Sequence, residues 1–474
     1  MSIASWNALY QNAHFAGLEK IKTLPGVACA FHSVIDGFIR LTPATLAAVL
    51  GRDPALRQAA RAGCLGDVPL EIHTPGDLIA GLFHSLHRGS ASQRVIRSEA
   101  VHRWIQDNLG PIEYRLGGTS GNMARSLAPL GIPVTVYANP LTVELAELFG
   151  DSDHLRVIVP AEGGYALQSP RRAARERGIF AVHWILEYGA DFAMDLDGLR
   201  IRPGRANRFI PSWNPRNNQF RMDPVFAEGF LALGGDYSHL LFSGFHILSE
   251  RYPDGSTCDD VIRPLGDFLD TVRARHPRLK IHLELASIAS PAIRRAVLDC
   301  ILPRVHSVGL NETELPLYLD VLEGVDRSRK LRRKSPAAEF LHAMAAFLDT
   351  APVERIHFHN LGYYLSLERA PWHSPESSRD ALLFAALMAA ARARDGLFSS
   401  PDNIAHGWKA PVSDRGLQEL RALAERLRQP NLFESGIGTY RSFFCHAVPT
   451  RLVEHPLFTV GLGDTISAGA VLTA

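Results

Sequence analysis

Apolar positions follow two textures along the chain. From about residue 236 onward, short apolar runs alternate with stretches of helical period. "HLLFSGFHIL", "LKIHLELAS", "VHSVGLN", "RIHFHNLGYYLSL" and "YRSFFCHAVPT" read as strands, with helices between most of them. That alternation predicts a parallel sheet flanked by helices. Earlier, "GVACAFHSVIDGF" is an apolar run ending in Asp36 and Gly37, which predicts a buried strand delivering an acid to its carboxyl end. "GIPVTVYA" predicts another strand. It follows a small-residue helix, "NMARSLAPL", that Gly131 stops. Between about 155 and 220 the runs "LRVIVP", "FAVHWILEY" and "RFIPSW" are separated by turn residues and predict an antiparallel patch. The fold class expected is α/β: a large domain with a mainly parallel sheet, plus a smaller, partly β lid drawn from the first half. Ligands of such open sheets lie outside the carboxyl ends of the strands.

Composition narrows the function without naming it. The chain has 474 residues, 46% apolar and 21% charged, enough to bury a large core. The formal net charge of +1 gives no sign of nucleic-acid binding. The Arg-rich segments "SPRRAARERG" and "SRKLRRKSP" read as solvated faces or loops. Five scattered cysteines without metal-like spacing fit free thiols in a reducing compartment, so a cytoplasmic location is expected. No signal peptide or membrane span is read, and "ALLFAALMAAARA" reads as a buried core helix. Oligomeric state leaves no trace in the pattern.

Several constellations can carry chemistry. In "TVGLGDTISAGAVLTA", Gly461, Leu462 and Gly463 precede Asp464. Glycines let the backbone approach an anion, and the helix start that follows favours phosphate. An ionised carboxylate there can accept a hydroxyl proton during phosphoryl transfer. The same tetrapeptide is equally a turn with an N-cap. In "KIHLELA", His282 and Glu284 share a strand face opposite Ile281, Leu283 and Leu285. A strand buried on both faces should be apolar, so these two call for a metal-water or phosphate network, unless the strand is an exposed edge. "GLNETEL" sets Asn311 three before Glu314, which is either a capping box or a carboxylate facing hydrated Mg²⁺. "LGGTSGNMA" puts Gly117, Gly118 and Gly121 before a helix. That spacing is not a dinucleotide fingerprint, which argues against an oxidoreductase. His183 and Glu187 lie in "VHWILEY". Arg205, Asn207 and Arg208 lie in "GRANRFI", where Arg205 is a candidate phosphate clamp or an ordinary surface residue.

Taken in order, these motifs resemble the ADP-dependent sugar kinases, the glucokinases and phosphofructokinases of the ribokinase superfamily. The resemblance runs from about Val27 onward. It is densest in "LGGTSGNMARSLAPLGIPVTVYA", "GRANRFI", "IHLELASI", "HSVGLNETEL" and "VPTRLVEHPLFTVGLGDTISAGA". It implies a ribokinase-like large domain, mainly 1–35 and 236–474 with parts of 115–150, under a discontinuous lid, mainly 36–114 and 155–235. It implies that Asp464 is the catalytic base, that Gly461, Leu462 and Gly463 form an anion hole, and that Arg205 meets the transferred phosphoryl group. Asp36, Gly117, Gly118 and His183 resemble the sugar contacts. Glu284 and Glu314, with Asn311 beside them, resemble the metal-water network. Tyr363 and Val448 resemble the adenine pocket. The reaction implied is MgADP plus a hexose giving AMP and a hexose phosphate, with Mg²⁺ or another divalent cation. Family glucokinases carry a lid glutamate where "RGSASQRV" offers Gln93. Glucose is the expected acceptor, because no lysine for a substrate phosphate stands in that stretch. Fructose 6-phosphate is the alternative, and a non-catalytic sugar- or nucleotide-binding homologue is the second.

Overall fold

The computed structural model describes residues 3–179, 181–216, 222–324, 330–331 and 335–474. Two sheets dominate it. The larger has eleven strands. Its order is Ile437–Tyr440, Phe443–Pro449, Tyr363–Glu368, Arg355–His359, Ser307–Asn311, Lys280–Glu284, His239–Phe242, Val27–Ala30, Val134–Val136, Leu155–Ala161 and Gly164–Gln168. From Arg355–His359 through Leu155–Ala161 the pairing is parallel. The parallel strands are buried on both faces and read as nearly unbroken apolar runs for that reason. The helix Pro375–Asp395, which contains the apolar run expected in the core, is buried along most of its length. It starts on Ser374, whose hydroxyl accepts from the Ser377 N–H, and packs against the helices Ile3–Lys22 and Leu462–Leu472. Among the described residues no helix is long and apolar enough to cross a membrane.

The smaller sheet has six strands, in the order Glu71–Ile72, Ser92–Ile96, Asn207–Trp213, Val182–Tyr188, Val34–Arg40 and Glu113–Gly117. One face lies under the helix Pro75–Arg88: a Cβ on Gly81 would come within 2.7 Å of the Phe209 ring. The opposite face carries a polar row. Register pairs Arg115 with Asp36, Asp36 with His183, and His183 with Ser212.

Two expectations about the chain path change. "GVACAFHSVIDGF" is not one strand. Val27–Ala30 belongs to the large sheet and Val34–Arg40 to the small one, so Asp36 sits early in the second strand rather than at the end of the first. Both halves are buried, so the apolar run continues across the crossing between sheets and hides it. "LRVIVP", expected in the lid, instead extends the large sheet as Leu155–Ala161, closed by an antiparallel hairpin with Gly164–Gln168. Of "SRKLRRKSP", only Lys330, Leu331, Ser335 and Pro336 lie within the described residues, and Phe180 of "FAVHWILEY" lies outside them.

Candidate active site

The carboxyl ends of the parallel strands meet the start of the helix Leu462–Leu472. Gly461 caps that helix with φ 73°, in the left-handed region. A side chain there would be strained, and its Cβ would also stand 2.7 Å from the Asn122 amide carbon and 2.8 Å from Arg392 Nη2. The first-turn N–H groups have no partner within the helix and point the positive end of its dipole outward. Asp464 lies half-buried in that turn. Burial pushes its carboxyl up to about 6, while the Arg392 guanidinium and a hydrogen bond from Asn122 pull the other way. Arg392 is itself buried and fully engaged. Nη1 donates to Thr465 Oγ1 at 2.6 Å and to Ser126 Oγ at 2.5 Å, and Nη2 donates to Asn122 Oδ1 at 3.0 Å.

Beneath this turn lie two more acids. Glu284 ends the central strand Lys280–Glu284, so the exposed-edge reading of that strand fails. Its Oε2 accepts from Ser467 Oγ at 2.5 Å, and Ser467 also meets His357 Nε2 at 2.9 Å. His282 is fully buried, with Nδ1 2.6 Å from Ser307 Oγ and its ring stacked on His357 at 5.2 Å. Glu314 and Asn311 do form a reciprocal cap. Asn311 Oδ1 accepts from the Glu314 N–H at 3.2 Å, and Glu314 Oε2 accepts from the Asn311 N–H at 3.0 Å. Capping and an electrostatic role coexist, because the capped carboxylate is also buried. Burial lifts Glu314 to about 8. Glu284 is held well above the ordinary carboxylate range by burial, then by the charges of Glu314 and Asp464.

Across the cleft, the lid strand Val34–Arg40 presents Asp36. Burial raises it to about 7, with Arg208 and Arg115 opposing and the charge of Asp464 adding. The charge of Asp464 thus reaches across to the lid strand. Gly117 is needed for space: a Cβ there would stand 2.0 Å from Asp36 Oδ1. Gly118, at φ 78°, is needed for its backbone, and its Cβ would also lie 2.4 Å from the His32 carbonyl oxygen. His183 Nδ1 lies 3.7 Å from Asp36 Oδ1. Further along the wall, Gln93 Nε2 donates to Ser212 Oγ at 3.0 Å. Both line a cleft of about 750 Å³ between the lid and the large sheet, along with Arg94, Asn214, His246 and Arg251.

The profile described as "ADP-specific Phosphofructokinase/Glucokinase conserved region" matches residues 25–473. The chain belongs to that family. It is 32% identical to an ADP-specific phosphofructokinase of Methanosarcina acetivorans, over 99% of this chain and 97% of the relative. It is 30% identical to an ADP-dependent glucose/glucosamine kinase of Pyrococcus abyssi, over 99% and 98%. Among solved structures, an ADP-dependent kinase in complex with fructose-6-phosphate and ADPβS superposes with a TM-score of 0.85 at 30% identity, covering 100% of this chain and 98% of that one. Membership of the ADP-specific phosphofructokinase/glucokinase family makes the chain a kinase.

Not every family-implied residue falls at the cleft of this kinase. Arg205 is exposed and its Nε donates to the Gly89 carbonyl oxygen at 2.8 Å, a carbonyl that Asn207 Nδ2 shares at 3.0 Å. The arginine of that segment whose charge reaches Asp36 is Arg208, on the strand itself. Tyr363 and Val448 are enclosed in the core, at 1% and 0% exposure, on neighbouring strands of the large sheet. Residues the motifs did not single out are Arg392, Asn122, Thr465 and Ser467 at the Asp464 end, and Arg115 on the lid. Arg392 had one visible signal, an arginine within an otherwise apolar helix.

Proposed function

We propose that this kinase transfers the β-phosphoryl group of ADP to a hydroxyl of a hexose held between Asp36 and Asp464, releasing AMP. One arrangement carries the reading: Asp464 stands on the same helix as Ser467, which donates to Glu284 Oε2 of the large sheet, and its charge raises Asp36 of the lid. In this reading the nucleotide tail, the cation and the sugar meet at that acid. Asp464, with its carboxyl near 6, is mostly ionised at neutral pH and accepts the proton of the attacking hydroxyl. Gly461, Leu462 and Gly463 leave room for the phosphoryl oxygens at the helix start. Asp36 and His183 orient the sugar, with Gly117 and Gly118 shaping that wall. Arg205 reaches the phosphoryl group in this reading only by releasing Gly89 as the lid closes, whereas Arg208 already faces the cleft. Tyr363 and Val448 would meet an adenine ring from the large-sheet side, through the backbone next to their enclosed side chains.

Glu284 and Glu314 suit a divalent cation such as Mg²⁺. Two carboxylates raised by burial, Glu284 further by the charge of Glu314, are relieved by an oxygen-seeking ion. Glu314 uses one oxygen on Asn311 and lies 3.3 Å from Ser287 Oγ with the other, so its hold would run through bound water. When bound, the ion would neutralise charge on the phosphoryl oxygens.

Glucose is the acceptor this wall suits first. Gln93 and Ser212 are neutral, and the arginines Arg94 and Arg251 share the lining of the cleft with the acids Glu71 and Glu250, of which Glu71 is paired with Arg97. Fructose 6-phosphate is the second reading, favoured by those same guanidiniums and by the absence of a carboxylate at Gln93. Incubating the enzyme with Mg²⁺ and either ADP or ATP, against glucose and fructose 6-phosphate, and quantifying AMP tests both. AMP formed from ADP, with glucose the faster acceptor, is expected. Faster turnover of fructose 6-phosphate reverses the acceptor assignment, and no AMP with any sugar overturns the activity.

A further inference from the structure

Three histidines converge at the base of the lid. His32 lies in the crossing between the two sheets, His183 on the lid strand Val182–Tyr188, and His246 on the short turn Phe245–Ile247 that follows a large-sheet strand. Their rings sit 5.0 Å (His32 to His183), 4.7 Å (His32 to His246) and 6.1 Å (His183 to His246) apart, centroid to centroid. One ring nitrogen from each lies within 4.8 Å of the others. His32 and His183 are 1% and 7% exposed. Both nitrogens of His32, Nε2 of His183 and Nδ1 of His246 have no hydrogen-bond partner.

Buried imidazole nitrogens are ordinarily paired, so a cluster that leaves four of them unpaired, with one nitrogen of each ring within 4.8 Å of the others, asks for a ligand. Burial first, and then the proximity of the other rings for His32 and His183, holds these histidines below their usual range, which leaves their lone pairs free at neutral pH. Behind His183 stands Asp36, its own Oδ1 unpartnered and 3.7 Å from His183 Nδ1. A carboxylate behind the second nitrogen is the usual support of a ligating histidine.

We propose that His32, His183 and His246 form a three-nitrogen site for a borderline divalent transition ion of the zinc class, separate from the oxygen donors Glu284 and Glu314. Neutral imidazoles select zinc, cobalt, nickel or copper, whereas magnesium takes oxygen ligands. Metal–nitrogen distances of about 2.0–2.1 Å require the three rings to turn one nitrogen each onto a single point. Because His183 stands on the lid and His246 on the large sheet, the ion ties the two together. It also engages the neighbour of Asp36, so it competes with sugar. That last consequence alone rests on the proposed function.

The test uses the full chain, stripped with a chelator and kept free of sugar and nucleotide. Zn²⁺ is titrated against a chromophoric chelator, and Co²⁺ is titrated with its visible absorption recorded. One ion per chain is expected, with intense cobalt bands typical of four-coordination, unmoved by millimolar Mg²⁺. His32→Gln and His246→Gln should each weaken zinc binding by about 100-fold. No stoichiometric binding, equal affinity in native and both variants, or a weak octahedral cobalt spectrum would overturn the site. The cobalt spectrum of the native protein decides even where a variant folds poorly. A glucose titration then separates the two readings: zinc bound but not displaced by sugar keeps the metal site and removes its link to Asp36.

Discussion

Asp464 and Asp36 are both acids raised by burial, to about 6 and about 7, yet their surroundings differ in kind. Asp464 sits in a finished environment: Asn122 bonds it, Arg392 lowers it, and Arg392 is in turn held by Ser126, Thr465 and Asn122. Asp36 sits in an unfinished one. Its Oδ1 has no partner, Gly117 leaves space beside it, and its histidine neighbour stands beyond hydrogen-bond reach. A group that must hold one charge state is supported in advance, whereas a group that must receive a ligand is left short of partners. The large sheet supplies the first kind and the lid the second.

The comparison can be broken in four places. The largest effect belongs to Asp464→Asn, which should lower kcat by about 10²–10⁴ while leaving the KM for sugar within a few-fold. Steady-state AMP formation reads both. Next is Arg392→Met, which removes the cation under the base and the donor that Ser126, Thr465 and Asn122 share. It should destabilise the fold by about 3 kcal/mol in denaturant titration and lower kcat by about 10-fold or more. The sign of its pH effect follows from the charge. Arg392 lowers the Asp464 pKa, so its loss raises it, and the acid limb of kcat/KM should move from about 6 to higher pH. In the native enzyme kcat/KM should fall as pH drops through about 6, because protonation removes the base. Gly117→Ala should act on the other aspartate, raising the KM for sugar by about 10-fold as the methyl displaces the Asp36 carboxylate. The smallest change is Gln93→Glu, which should shift preference toward glucose over fructose 6-phosphate by about fivefold, through repulsion of a phosphate in a wet cleft.

The two regions were also unequally legible. The Asp464 end was written in contiguous motifs, because strand ends and helix starts place neighbours in sequence at one point in space. Glu284, Glu314 and Asp464 arrive from three such ends. Arg392 was missed because it stands 73 positions before Thr465 in a helix whose pattern speaks only of burial. The lid end was harder. The crossing after Ala30 leaves no break in apolarity, so the sequence shows Asp36 at the end of one strand instead of early in the next. Arg205 and Arg208 could not be separated without the strand register that turns Arg208 toward the cleft. His32 and His246 carry no motif, and only the fold brings them to His183.

The central claim is that the proton of the sugar hydroxyl goes to Asp464. A single-turnover mixture of Asp464→Asn with MgADP and sugar, with nucleotide binding measured calorimetrically on the same sample, tests it most directly. The account predicts ADP affinity close to native with AMP formation slowed at least about 100-fold. AMP appearing at a near-native rate would contradict it.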